Sequence, residues 1–351
     1  MAATTRIEWI EKAKGLAILG VVAIHASQRF TITGTIAEIA TAGNYGVSLF
    51  FIVSAYLTYL SLDKTTTRLE VKTYAKYLLH KIIRLVPVLY IAIIWNLTQY
   101  SIANEHIPDI NNGIWRDAIF AATFTNGFSF NHFNPWCNWY IGTLVVFLAL
   151  APLIHKWINN PTRAVFFFLA TMILSWILDL FVYSNQTLYS SFYYYCTFPK
   201  QLPVLALGIV FYQFTKETTL KNNPKPLASF LIIVSASLLL TFCTSIDVME
   251  FHVTMGLLLL TLSYNAFNNS NKFFYWLIPL GKYSYGIYLF HWCLLKVFSV
   301  VSHRIGIDNS SLLIFLIYYI LLVIVSLLCA KIIQQYIEQP ILYFTKKKWG
   351  I

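Results

Sequence analysis

The chain reads as an all-α, polytopic membrane protein with about ten transmembrane helices and both termini in the cytoplasm. Of its 351 residues, 58% are hydrophobic and 11% charged, which is more apolar surface than one core surrounded by water can hide. The apolar residues come in blocks of sixteen to twenty-six, long enough for a helix to cross about 30 Å of hydrocarbon. Finally, Lys and Arg fall mostly on one set of the connections between those blocks.

The blocks run 15–30, 45–62, 77–100, 139–158, 163–183, 199–214, 227–246, 251–267, 281–301 and 311–336. The first follows Lys12 and Lys14, lacks a small-x-small cleavage pattern and contains His25, so it is kept as a helix rather than a signal peptide. The third carries Arg84-Leu85-Val86-Pro87 near its start, where the proline is expected to free backbone groups and bend the chain. A weaker stretch, 114–124, is short and carries Arg116 and Asp117, which suits an interfacial or re-entrant helix. With both ends inside, 20 of the 25 basic residues lie on cytoplasmic segments, and only Arg29, Arg116, Lys200, Lys296 and Arg304 lie outside. The net charge of +11 is therefore explained by topology, and nucleic acid is not needed as a partner. Without internal repeats or long linkers, residues 1–351 are expected to form a single membrane domain with no fused soluble domain. The five cysteines show no metal-ligand spacing and are assigned to packing, and no metal is expected.

Ionisable groups inside a bilayer cost about 2.5–3.5 kcal/mol at the centre by insertion scales, so each one needs a reason. His25 lies eleven residues after Lys14, and eleven steps of about 100° bring both side chains to the same helix face, about 16 Å apart. That geometry suits a long donor whose phosphates meet an ammonium while its reactive tip meets an imidazole. Coenzyme A has this shape. The alternative is a topological lysine and a histidine bonded to a neighbouring helix. Arg84 is open to the same two readings, as a ligand for phosphate oxygens or as a snorkelling charge at a kinked helix end. His291 lies ten residues beyond Gly281, at a depth like that of His25, and two imidazoles at one depth favour a polar midplane site. The long outer connection 101–138, with His132, Asn134 and Trp136, has the composition of a sugar-binding surface or of an aromatic belt at the headgroups.

These motifs together resemble the bacterial membrane acyltransferase-3 family, the O-acyltransferases that decorate lipopolysaccharide O-antigen, capsule and other exported glycans. Residues 14–25 (KGLAILGVVAIH) are similar to its basic residue, ten residues and histidine, and 45–57 (YGVSLFFIVSAYL) to its second helix. Arg84-x-x-Pro87, residues 284–291 (SYGIYLFH) and Glu338-Gln339-Pro340 follow in the family's order. Two positions depart from it. Ser48 stands where many members have Asp, and Leu144 stands near the position of a common glutamate, after Trp139-Tyr140.

The resemblance implies an acetyl-CoA-dependent O-acetyltransferase of the bacterial inner membrane. The donor is a substrate, and no cofactor is tightly bound. Lys14 and Arg84 would hold the acyl-CoA phosphates. His25 would act as general base or be transiently acylated, with His291 assisting, while His132, Asn134, Trp136 and Trp139 would shape the site for a polysaccharide or lipid-linked saccharide. The rival readings are a flippase for lipid-linked sugars and a structural partner in a glycan assembly complex.

Overall fold

The computed structural model describes residues 8–65, 71–103, 113–128, 139–184, 195–216, 248–268 and 272–349. Among them the regular structure is helical throughout, with no strand. The order is α1 (Glu8–Ser27), α2 (Thr35–Ala42), α3 (Gly46–Thr65), α4 (Val71–Ala103), α5 (Gly113–Ala122), α6 (Trp139–Trp157), α7 (Pro161–Ser184), α8 (Phe198–Lys216), α9 (Val248–Asn268), α10 (Leu277–Lys282), α11 (Ser284–Arg304), α12 (Leu312–Ile333) and α13 (Gln339–Trp349). Six segments are long and apolar enough to cross a membrane on length and composition alone. α1, α8 and α9 have similar lengths, 20, 19 and 21 residues, and pack among them. The predicted span 227–246 lies outside the described residues. The short stretch expected to lie at the interface is α5, which leads into a 3₁₀ turn, Thr125–Phe128, lying on α6.

α1 is central. It touches α2, α3, α9, α10, α11 and α12, which is why its apolar residues Ile10, Ile18, Val21 and Val22 are all buried. Lipid tails offer no hydrophobic drive between helices, so close contact depends on small residues that let backbones meet. Two glycines provide it. A Cβ on Gly43 would stand 2.1 Å from the Gly20 carbonyl oxygen, and one on Gly281 would stand 1.8 Å from that of Glu11. The first contact seats the 3₁₀ turn Gly43–Tyr45 against the middle of α1 and bends α2 into α3. The second lays α10 along the first turns of α1.

The ends predicted to be cytoplasmic gather at one face of the bundle. Asp63 near the end of α3 receives His155 Nε2 from α6 (2.6 Å) and the Tyr212 hydroxyl from α8 (2.5 Å), and it pairs with Lys216. α4 runs unbroken through Pro87, and beside that proline the Tyr285 hydroxyl donates to the Leu85 carbonyl at 2.6 Å. Pro87 leaves the Ile83 carbonyl without its intrahelical donor, and Tyr285 adds a side-chain bond to the same turn.

A buried ion pair joins α7 to α8. Lys200 Nζ donates to both carboxylate oxygens of Asp179 at 2.6 Å, and both residues are buried. Removing one member of such a pair leaves an uncompensated charge in a medium that cannot solvate it. Asp179→Ala is expected to lower stability by about 3–5 kcal/mol, and Asp179→Leu combined with Lys200→Met to restore most of that loss. Thermal unfolding in detergent checks both. A single variant as stable as the parent would show that the pair is solvated.

Candidate active site

His25 and His291 come together. Their rings stack at 5.4 Å between centroids and 29° between planes, and Trp292 meets His25 edge-on at 5.2 Å. The imidazole of His25 therefore points into the bundle and away from lipid. Because α1 and α11 run side by side, the eighth residue of α11 comes level with a residue near the end of α1.

Hydrogen bonds set the tautomer of each ring. His291 Nδ1 lies 3.0 Å from the Ile287 carbonyl, which can only accept, so Nδ1 carries the proton and Nε2 the lone pair. That Nε2 is buried without a hydrogen-bond partner, and the residue is 0% exposed. His25 Nδ1 lies 3.2 Å from the Gln28 amide oxygen, which likewise puts the proton on Nδ1 and leaves Nε2 basic. Each imidazole thus has a proton-accepting nitrogen, held in place by its own helix.

From this pair a train of rings leads across the bundle. Tyr288 lies 6.0 Å from His291, and Tyr140 lies 5.5 Å from Tyr288. Tyr140 bonds Ser54 at 2.9 Å and packs on Phe51 at 4.6 Å. Trp139 is buried against Phe51 and Tyr195, so the sequence expectation that it lines the site places it in the interior rather than on an outer loop. His132, Asn134 and Trp136 lie outside the described residues.

Tyr195 opens a second buried polar centre that sequence reasoning missed. His252 Nδ1 lies 3.0 Å from both Ser48 Oγ and the Tyr195 hydroxyl, and Nε2 accepts from Asn44 Nδ2 at 3.4 Å. With Nε2 accepting, Nδ1–H is shared between the two hydroxyls. Ser48 thus engages an imidazole. Nothing in the sequence around His252 marks it, whereas Gln28 was within reach of inference, lying one helical turn past His25.

The basic residues expected to hold the donor each have a carboxylate nearby. Lys14 pairs with Glu11 at 3.0 Å, one turn back on α1, and Lys12 beside it is buried, paired with Glu8 at 2.8 Å and set over the Tyr275 ring. Arg84 is exposed on α4, within electrostatic reach of Glu338 in the turn that follows α12. Lys14 and His25 are separated by three turns of α1, about 16 Å. Beyond Gln28, past the other end of α1, lies a cavity of about 570 Å³. Among the described residues, no three His, Cys, Asp or Glu side chains gather as a metal site would require.

An all-α bundle of apolar helices long enough to cross a membrane, with a stacked pair of imidazoles among them, defines a multi-pass membrane protein. The chain belongs to the acyltransferase-3 family: the model of its acyltransferase domain matches residues 7–331, and the protein is a membrane acyltransferase. Comparison with curated proteins finds no match, and comparison with solved structures finds none either.

The shared proton on His252 gives a test of the second centre. Ser48→Ala and Tyr195→Phe each leave one hydroxyl as acceptor and are expected to cost about 1 kcal/mol. Together they orphan a buried N–H, so the double variant should lose more than the sum in a double-mutant cycle read by thermal unfolding. Strictly additive losses would show that the hydroxyls do not share the proton.

Proposed function

We propose that the protein transfers an acyl group, acetyl in the first instance, from cytoplasmic acyl-CoA to a hydroxyl of a cell-surface or lipid-linked saccharide at the bacterial inner membrane. The observation that carries this reading is the stacked His25–His291 pair inside the bundle, with a proton-accepting Nε2 on each ring. It lies between the basic Lys14 end of the bundle and the cavity beyond Gln28.

The donor enters at the Lys14 end. Lys14, exchanging its Glu11 partner for a phosphate, and the exposed Arg84 guanidinium hold the coenzyme A phosphates. The three turns of α1 between Lys14 and His25 match the reach of the pantetheine arm, so the thioester arrives at the imidazoles. The saccharide hydroxyl approaches from the opposite end. His25 Nε2 takes its proton as the oxygen attacks the acyl carbon. The new C–O bond forms, the C–S bond breaks, and the departing thiolate receives the proton back from the imidazolium. His291, fixed by Ile287, stacks on His25 and orients its ring. The stacked rings disfavour two positive charges at once, so beyond the Nδ1 proton of each ring the pair takes up one further proton at a time.

Labelled acetyl-CoA supplied to membranes should put label into polysaccharide. His25→Ala is expected to lower transfer by a factor of about 10²–10⁴ without loss of membrane-inserted protein. Lys14→Ala and Arg84→Ala should raise the donor KM more than they lower kcat. Activity retained in a well-expressed His25→Ala protein removes that residue from the chemistry. Movement of glycan without label transfer favours the transporter reading.

A further inference from the structure

α1 stops at Ser27, while α11 continues thirteen residues past His291 to Arg304, about 20 Å further. The step between the two helix ends is the cavity of about 570 Å³. Gln28, the residue that holds the His25 ring, forms part of its wall, so the cavity adjoins the imidazole pair. The segment is fixed in place: Thr31 N–H donates to the Asn309 carbonyl at 2.9 Å, and Phe30 packs on Phe315 and Tyr318.

The charge of the lining is one-sided. Arg29, His303 and Arg304 border the space together with Tyr318. Arg29 is also close enough to interact electrostatically with His25 and with Lys296, which reaches Asn96 from α11. The nearby carboxylate, Asp308, is spoken for. It accepts from the Ser310 hydroxyl at 2.6 Å and the Ser310 N–H at 2.8 Å, and these bonds hold its carboxyl below the usual carboxylate range. Among the described residues, neither Arg29 nor Arg304 has an ion-pair partner within 4 Å. By the positive-inside rule these arginines are also misplaced, being on the side where basic residues are few. Topology therefore does not explain them, but a ligand does.

We propose that this cavity is an oxyanion-binding subsite for the acceptor, in which Arg29 and Arg304 hold a carboxylate or phosphate of the saccharide while its hydroxyl reaches His25 past Gln28. This rests on the acyl-transfer reading above and narrows it, since the preferred acceptor is acidic. The shared chemistry is a planar or tetrahedral oxyanion facing guanidinium forks. It has two possible sources, a uronic acid in the sugar or the diphosphate of a lipid-linked glycan.

The test uses the full-length protein in neutral-lipid nanodiscs and reads binding separately from transfer. Binding is titrated with a uronic-acid disaccharide against its methyl ester, and with a polyprenyl-diphosphate-linked disaccharide against the same disaccharide with a free reducing end. The parent should bind at least one acidic form about tenfold or more tighter than its neutral counterpart, and the favoured pair identifies the source. The double variant Arg29→Gln, Arg304→Gln should lose that preference while still binding acetyl-CoA. Equal binding of acidic and neutral forms by the parent, or a preference surviving in the double variant, overturns the subsite. Charge-dependent binding without label transfer from acetyl-CoA keeps the subsite and sinks the acyl-transfer reading. Label transfer with no charge preference does the reverse.

Discussion

A helix that carries ionisable residues at its start and an imidazole near its end has to run through the middle of this bundle, and the rest of the structure accommodates that constraint. α1 cannot face lipid with Glu11, Lys12, Lys14 and His25 along its length, because charged and polar groups in hydrocarbon are costly unless paired. The lysines find carboxylates one turn back on the same helix, and His25 finds Gln28 one turn on. With its polar groups satisfied locally, α1 can meet its neighbours backbone to backbone at Gly20–Gly43 and Glu11–Gly281. Those two contacts set the depth at which α3 begins and the height of α10, and through α10 the register of α11. His291 reaches His25 as a consequence of that register.

The site also depends on helices that end early. α1 stops at Ser27 while α11 continues to Arg304, which makes the cavity beyond Gln28. On α6, Tyr140 bonds Ser54 and packs on Tyr288 and Phe51, which makes the ring train between the two histidine centres. Irregular backbone between membrane helices is tolerated where it packs on protein, as the half-buried turn Gly43–Tyr45 packs on α1. The two polar centres have different characters. His252 is held from three directions by Ser48, Tyr195 and Asn44, an arrangement that fixes a structure. His291 has its Nδ1 committed and its Nε2 open, an arrangement that suits proton transfer.

The relation between sequence and site varies residue by residue. His25 and His291 were legible because buried histidines in apolar blocks are rare enough to demand a reason, and their depths could be counted from helix rise. That the stretch around Arg116 and Asp117 forms a short helix rather than a span was legible from its length. Trp139 was expected to shape the saccharide site, and its neighbours Phe51 and Tyr195 place it within the bundle rather than at the surface. Lys14 was read as a free phosphate ligand, but Glu11, three residues earlier, engages it. That i,i+3 pairing was visible in the sequence. His252 was not legible, because its partners Asn44, Ser48 and Tyr195 come from distant segments.

The sequence by itself determined that this is an all-α membrane protein, which residues are too polar to face lipid, and which family it belongs to. These follow from local quantities: apolar block length, charge placement and motif spacing along one helix. Only the tertiary structure decided that the two imidazoles stack, which nitrogen of each carries the proton, and that Arg29 and Arg304 face one cavity. Such facts depend on the register between helices. Register in lipid is set by where small residues let two backbones touch, a pairwise property that no single stretch of sequence contains.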